Sequence, residues 1–454
     1  MNSQINRSMA SELVLKHELS ANMRTRWFML ATLIVSAFIW YKNFFYREEE
    51  LTDLNPDTQL VVSPGKMHII VTGGAGFIGS HAALHLLDLG HSVTVIDNLS
   101  RGNLGAILQI ASLHAPQYFK FHNADLGNQK LLSSILLAAH PAVDLVMHFA
   151  AIAYVGESVA QPLLYYHNIT VNTINLLEAM RASNINKFVY SSTCAVYGNQ
   201  AQLPITEETT PQPTSPYGMS KLFAEQVIKA HASATPDFKA IILRYFNVYG
   251  NDPEGRLVPH WHVQYVFPAV PHWHCLIGMN NTSSLQCLIG MYREYPRSEL
   301  RKHSRISGAC LDAATGQLPS LTVIGTKHPT SDGTCIRDYI HVTDLVAAHV
   351  TAMHAVANPP ALYNVGTGQG LSVRQFVTAC KKVTGVDIKV VEQAESRPGD
   401  YPEMWADPSK IKRELGWKPL YVDVELGLAH AWAWRKSHPS GYQEYGILND
   451  FIRK

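Results

Sequence analysis

Between His68 and Leu89 an apolar, β-branched run, H-I-I-V-T, enters a glycine-rich turn and leaves it with the apolar spacing of an amphipathic helix. The turn reads Gly73-Gly74-Ala75-Gly76-Phe77-Ile78-Gly79. Gly73 permits the tight turn, Gly76 lets the backbone approach a pyrophosphate, and Gly79 lets helix pack closely on strand. Phosphates then meet the first helical N–H groups, those around Phe77 and Ile78, and the positive end of the helix dipole. The expected ligand is a dinucleotide. The spacing is G-x-x-G-x-x-G, so the glycines need support from their surroundings.

That support follows at once. A second strand-like run, Ser92 to Asp97, ends in an acid at about the 20-residue distance that suits adenosine ribose hydroxyls and favours NAD. Arg101 nearby disfavours nothing outright and leaves NADP open. Further strand-like runs at Lys120–Asp125, Val143–Ala150, Lys187–Ser191 and Ala240–Tyr245 alternate with helix-compatible stretches such as Leu131–Ala139 and Asn172–Ser183. The alternation predicts an α/β fold with a doubly wound parallel sheet. Its carboxyl ends, where such sheets bind ligands, carry Asp97, Asp125, Phe149-Ala150 and Ser191-Ser192-Thr193. Downstream, Tyr217 and Lys221 stand at i and i+4 on one predicted helix face, where an ammonium beside a phenol, helped by a positive nicotinamide ring, favours the phenolate. Tyr217 is then a candidate general base, and Thr193 a partner for the same substrate hydroxyl. Alone, Y-x-x-x-K also describes an ordinary exposed helix.

The N-terminus reads differently. Trp27–Tyr41 carries no charge and Phe44-Phe45-Tyr46 extends its apolar character, close to the roughly 20 residues of a membrane span. Residues 1–26 are expected to be a cytoplasmic tail, 27–46 a single-pass type II signal anchor and 47–65 a stem. Arg24 and Arg26 precede the span and Glu48-Glu49-Glu50 follow it, which places the catalytic part in the lumen. The shortness of the run suits a Golgi or endoplasmic reticulum membrane, Golgi being the expectation; a cleaved signal peptide or a peripheral anchor are the alternatives. Over 454 residues, 37 basic and 36 acidic side chains give a formal charge of +1, which offers nucleic acid no general attraction. The six cysteines show neither a C-x-x-C pair nor a disulfide framework. A homodimer stays open.

T-G-G-A-G-F-I-G, D-N-L-S, H-F-A-A, S-S-T-C-A-V-Y-G, S-P-Y-G-M-S-K, L-R-Y-F-N, D-G-T-C-I-R-D-Y-I-H-V and R-P-G-D occur in this order between about residues 66 and 430. Together they resemble the extended short-chain dehydrogenase/reductase family, in its UDP-hexose 4-epimerase branch. Within it the anchor, P-E-G-R-L and I-S-G-A-C-L-D-A-A are most similar to the plant Golgi enzymes that interconvert UDP-arabinose and UDP-xylose. The resemblance implies a Rossmann domain at 66–245, a smaller UDP-sugar domain at 246–454, and an isomerase. It implies tightly held NAD, a proton taken from the hydroxyl on sugar carbon 4 by Tyr217, and a transient 4-keto sugar with no net redox. Lys221 would hold the nicotinamide ribose, while Asp97, Asn98, Asp125 and Leu126 would receive the adenosine half. Asn247, Arg337, Arg397 and Asp400 would hold the UDP moiety, with Asn168 a further candidate; planar guanidinium groups suit a diphosphate. Ala153 replaces a lysine of many hexose epimerases, and Met404 falls at a position that often gates sugar size. UDP-glucose therefore remains an alternative substrate.

One segment departs from that pattern. Val258–Tyr292 repeats V-P-H-W-H and C-L-I-G-M, each in two copies, too few for a solenoid. His260, His262, His272, His274, Cys275 and Cys287 fit no common zinc spacing, so no metal is expected. Asn280 and Asn281 begin glycosylation sequons. The insertion makes an inactive NAD-binding homologue the reading to weigh against an epimerase. A sugar-nucleotide decarboxylase or dehydratase is weaker, because Cys194 and Ala195 follow Thr193 where an extra acid or base would be needed.

Overall fold

The structure is a computed structural model that describes residues 53–54, 58–257, 305–397, 400–439 and 441–444. The candidate span at 27–46 and the insertion at 258–292 lie outside them. Among the described residues no helix is long and apolar enough to cross a membrane. Residues 1–54 and 55–454 form two units, and of the first only a short strand, Asp53–Leu54, is described.

In the second unit, strand β1 (His68–Thr72) and helix α1 (Phe77–Asp88) flank the glycine turn. They are followed by β2 (Ser92–Asp97), α2 (Leu104–Leu113), β3 (Phe119–Asn123), α3 (Gln129–Ala138) and β4 (Leu145–His148). Every residue of β1, β2 and β4 is buried, as expected of parallel strands covered by helices on both faces, and their polar side chains pair internally, His68 with Thr94 (2.9 Å) and Thr72 with His148 (2.6 Å). Local chemistry starts the helices: the Asn103 side chain accepts from Gly105 N ahead of α2, and Asn128 from Leu131 N ahead of α3.

After β4 come short helical runs at Val155–Ala160 and Pro162–Tyr165, then a π-helical turn at Tyr166–Val171 that leads into α4 (Asn172–Ala182). The half closes with β5 (Lys187–Ser191), α5 (Pro216–Ala234) and β6 (Lys239–Tyr245). Ser215 caps α5 by accepting from Gly218 N, and Pro216 stands in its first turn, where a missing N–H costs nothing.

Beyond residue 245 the chain does not simply build a second domain. It forms β7 (Asn247–Tyr249), α6 (Ile306–Ala314), β8 (Leu321–Ile324), β9 (Ile336–Arg337), β10 (Tyr339–His341) and α7 (Val342–Met353). It then returns to the main sheet as β11 (Ala361–Val365). The sheet order is β3-β2-β1-β4-β5-β6-β11, all parallel. The expected division at 245 therefore needs correction: α7 and β11 belong to the first layer, where α7 packs on α1 and β11 covers the outer edge of β6. A free β6 edge would expose unpaired backbone groups, which is the physical reason for the return.

The smaller part consists of β12 (Leu371–Ser372), α8 (Val373–Thr384), β13 (Val390–Gln393), β14 (Glu403–Met404), α9 (Ser409–Leu415) and α10 (Val424–Ser437), with α6 and the strands β8 to β10. Phe376, Leu311, Cys310, Cys380 and Leu428 form its core. The order of strands reverses between β1 and β4, so the ligand crevice of this sheet opens there.

Candidate active site

At the end of β1 the backbone turns through Gly73, whose φ of +72° suits glycine. A Cβ on Gly73 would lie 2.5 Å from the backbone nitrogen of Ala150, so the chains leaving β1 and β4 touch at the crevice. A Cβ on Gly79 would lie 2.2 Å from the Gly73 carbonyl oxygen, which fixes how closely α1 packs on the turn. At Gly76 the nearest atom to such a Cβ is 3.2 Å away, and no side chain caps α1. The N-terminus of the helix, at Phe77 and Ile78, faces the turn with its positive dipole end, and no acid stands in that first turn to repel an anion. These features fit the diphosphate of a dinucleotide.

The register of β1 with its neighbours sets Gly73 beside Asp97 on one side and Phe149 on the other. Asp97 is buried, and its carboxylate accepts from Ala75 N (3.0 Å) and Leu99 N (2.8 Å). Burial pushes the carboxyl up to about 6, with those two backbone bonds opposing the rise. Next to it Asn98 donates to Asp125 (2.6 Å), and Leu126 closes the same edge as a buried residue. Phe149 packs with its ring centre 4.7 Å from, and tilted against, the buried ring of His349 from α7. Arg101, the residue that left NADP open, donates to the fully buried Glu157 at 3.0 and 3.3 Å. The Tyr165 hydroxyl donates to the same carboxylate. A guanidinium so held is occupied where a 2′-phosphate would require it, which favours NAD.

Tyr217, Lys221 and Thr193 meet at the end of β5. Lys221 Nζ donates to the Ser191 carbonyl at 2.7 Å and lies 4.8 Å from the centre of the Tyr190 ring. Burial holds its ammonium down at about 7, with the Glu225 carboxylate opposing. The helix carrying Tyr217 packs against the turn after Thr193, where a Cβ on Gly218 would lie 2.5 Å from the Ala195 carbonyl oxygen, and the Thr193 hydroxyl oxygen accepts from Ala195 N (3.2 Å). In the protein alone burial raises the Tyr217 phenol above its ordinary value, Tyr245 adds to the rise, and the Thr193 bond and Arg305 oppose it. The expected depression of this phenol invoked a positive nicotinamide ring beside Lys221; in the protein alone burial is the largest influence on it.

Of the residues assigned to the UDP moiety, three come together. Arg337 Nη2 lies 3.8 Å from the Asp400 carboxylate, Arg337 stacks over Tyr401 (5.8 Å), and Asp400 N donates to the Arg397 carbonyl. Strand β14 puts Met404 in register with Arg337, its side chain buried. Asn247, at the start of β7, has an exposed side chain, and its N–H donates to the carbonyl of Asp338, the residue after Arg337 (2.9 Å). Asn168, in the π-helical turn, accepts from Ile152 N at 2.8 Å and so braces the loop after β4.

Three side chains escaped the sequence reading. Asp338, in I-R-D-Y, receives Thr367 N, Gly368 N and Ala406 N and ties the substrate-side strands together. Glu157 immobilises Arg101; its G-E-S setting was visible, its partner was not. Arg305 donates to the Ala153 carbonyl at 3.2 Å, a contact between distant parts of the chain that no spacing reveals.

Comparison with known proteins agrees with this geometry. The profile of the NAD dependent epimerase/dehydratase family matches residues 69–266, and that of GDP-mannose 4,6 dehydratase matches residues 279–427. UDP-arabinose 4-epimerase 1 of Arabidopsis thaliana is 46% identical over 415 residues, 91% of this chain and 90% of that protein. Probable UDP-arabinose 4-epimerase 3 of Oryza sativa subsp. japonica is 50% identical over 381 residues, 84% of each chain. Among solved structures, UDP-glucose-4-epimerase from Stenotrophomonas maltophila with bound NAD and formylated UDP-arabinopyranose superposes with a TM-score of 0.69 at 31% identity, covering 82% of this chain and 99% of that one. The Bifidobacterium longum UDP-glucose 4-epimerase in complex with NAD+ and UDP gives a TM-score of 0.68 at 32% identity, covering 82% of this chain and 99% of that one. With half of its aligned residues shared over most of both chains, this protein belongs to the NAD dependent epimerase/dehydratase family, among the UDP-sugar 4-epimerases.

Proposed function

We propose that the protein interconverts UDP-xylose and UDP-arabinose by NAD-dependent inversion at sugar carbon 4. The observation that carries the reading is the meeting of Tyr217, Thr193 and Lys221 at the carboxyl end of the sheet whose first crossover carries the Gly73–Gly79 turn. The pentose pair is favoured by the plant UDP-arabinose 4-epimerases that share about half of its residues. NAD, when bound, supplies reversible hydride acceptance, so sugar oxidation state is unchanged at the end of the cycle.

The chain's own groups do the rest. Tyr217 accepts the proton of the hydroxyl on carbon 4 and returns it after the 4-keto sugar has turned over, and Thr193 shares that hydrogen bond and fixes the sugar. Lys221, anchored on Ser191, holds the nicotinamide ribose. Arg337, Arg397, Asp400 and Asn247 retain the UDP moiety while the sugar rotates. Gly73, Gly76, Phe77, Ile78 and Gly79 take the coenzyme diphosphate; Asp97, Asn98, Asp125 and Leu126 receive its adenosine half, and Phe149-Ala150 line the crevice.

The test is to incubate the detergent-solubilised full-length protein with UDP-xylose, UDP-arabinose, UDP-glucose and UDP-galactose separately and identify the products. Interconversion of the first two is expected; the hexose pair alone would reassign the substrate, and no 4-epimer from any of them would overturn the reading. NAD retained without turnover would support a non-catalytic NAD-binding homologue. Tyr217→Phe is expected to lower turnover by about 10³-fold, within the usual range for loss of a general base, and to spare bound NAD.

The apolar run at 27–46, uncharged from Trp27 to Tyr41 and preceded by Arg24 and Arg26, supports a single-pass type II anchor in the Golgi membrane with the catalytic part in the lumen. Resistance to alkaline carbonate extraction is expected; release into the supernatant would rule out a spanning anchor.

A further inference from the structure

Asp338 is fully buried and stands where the chain leaves one small sheet and enters another. Before it, β9 pairs with β14, which sets Arg337 beside Met404; after it, β10 pairs with β7, which sets Tyr339 beside Asn247. Its own backbone serves both sides. The Asp338 N–H donates to the Met404 carbonyl (3.2 Å), and the Asp338 carbonyl accepts from Asn247 N (2.9 Å). Two segments assigned to the UDP moiety, those of Arg337 and Asn247, thus meet at one residue.

The side chain reaches a third place, the turn after β11. Oδ1 accepts from Thr367 N (2.8 Å) and from the Thr367 hydroxyl (2.7 Å). Oδ2 accepts from Gly368 N (3.0 Å) and from Ala406 N (3.3 Å), the latter at the end of the segment that carries Asp400. A Cβ on Gly366 would lie 2.5 Å from Oδ2, so the carboxylate approaches the turn as closely as glycine permits. An ionised carboxylate offers about four acceptor sites and no donor, and these four donors match it. All four are neutral backbone or hydroxyl groups, which fix direction as well as distance. Burial pushes the carboxyl above its ordinary value, and the bonds from Thr367, Gly368 and Ala406 oppose the rise.

We propose that Asp338 is a positioning residue for the UDP moiety, holding Arg337, Asn247 and the Asp400 segment in fixed relation to one another and to the end of β11. The proposal rests on the assignment of those residues to UDP made above. The bonds that carry it run only between substrate-side segments and the β11 turn, while Asp97, Thr193, Tyr217 and Lys221 are held by separate contacts. Loss of Asp338 therefore acts on nucleotide affinity before it acts on coenzyme or proton transfer.

The experiment uses full-length, detergent-solubilised, NAD-loaded protein, with UDP titrated by calorimetry and kcat and KM measured with UDP-xylose. In Asp338→Asn an amide N–H2 faces N–H donors in place of an acceptor oxygen. UDP affinity is expected to fall by about 30-fold and KM to rise in parallel, with kcat within about threefold of wild type and bound NAD unchanged. Thr367→Val removes one bond and is expected to weaken UDP by about fivefold, whereas Thr367→Ser keeps the hydroxyl and is expected to keep the affinity. Should Asp338→Asn fail to fold, the two Thr367 variants decide. Asn358→Ala controls for general loss of stability: its amide donates to the Ala232, Thr235 and Pro236 carbonyls, and the variant is expected to lower Tm with UDP affinity unmoved.

Unchanged UDP affinity in Asp338→Asn and Thr367→Val would overturn the proposal, as would loss of bound NAD in step with UDP affinity, or an equal loss of affinity in Asn358→Ala. Weakened UDP binding in the two variants, with no 4-epimer formed by wild type, would keep Asp338 and reject the reaction. A 4-epimer formed with UDP affinity unmoved would keep the reaction and reject Asp338.

Discussion

Asp97 shows how much one side chain's surroundings decide. Its carboxyl sits near 6 in the folded protein against an ordinary 3.8, so the folded state holds the proton more tightly. Its contribution to stability is present below pH 3.8 and is lost as pH rises through about 6. Ribose hydroxyls prefer the ionised carboxylate as acceptor, so NAD retention is expected to fall as the pH drops through about 6. Gel filtration of the NAD-loaded protein over that range, followed by coenzyme assay, checks this; Asp97→Asn should retain less NAD at pH 7.5 and show no such step. Asp97, the three glycines, Tyr217 and Lys221 were legible in the sequence because backbone geometry fixes their spacing within one turn or one crossover. Arg305, Glu157 and Asp338 were not, since what matters about each is a partner far away in the chain. For the Tyr217 phenol, helix spacing tells which groups are adjacent, and burial decides what adjacency is worth in the protein alone.

At the level of elements, the turn and α1 divide the work of the glycines. A methyl at Gly79 would meet the Gly73 carbonyl at 2.2 Å and force the helix off the strand. Gly79→Ala is expected to destabilise the protein by about 3 kcal/mol and lose NAD together. At Gly76 the same addition meets one backbone oxygen at 3.2 Å, so Gly76→Ala is expected to fold with a nearly unchanged Tm while binding NAD poorly. Thermal unfolding with coenzyme content separates the two cases. Helix α5 is tied to β6 by a buried ion pair, Arg244 Nε donating to Glu225 at 2.9 Å, and Ser192 also donates to Glu225. Glu225→Gln leaves a buried guanidinium uncompensated and is expected to cost about 3 to 5 kcal/mol, measurable by denaturant titration. The strands and helices of the first half were readable from their alternation. Strand β11 was not: A-L-Y-N-V is short, and only the uncovered edge of β6 explains where it goes.

For the whole molecule, the residues proposed to hold the coenzyme all precede Leu257, and the next described residue is Arg305. Excising Val258–Tyr292 is therefore expected to leave NAD content unchanged, as measured by coenzyme release on denaturation; loss of NAD would mean that the insertion supports the first layer. The late arrival of β11 has a further bearing on how the protein is made. A ribosome delivers β6, with its apolar A-I-I-L run, well before residues 361–365, and the whole insertion is synthesised in the interval. Throughout that time the growing sheet carries an open, adhesive margin. Anything that lengthens the interval also lengthens the exposure of nascent chains to one another, so the duplicated segment weighs on yield during biosynthesis even if the finished enzyme tolerates it.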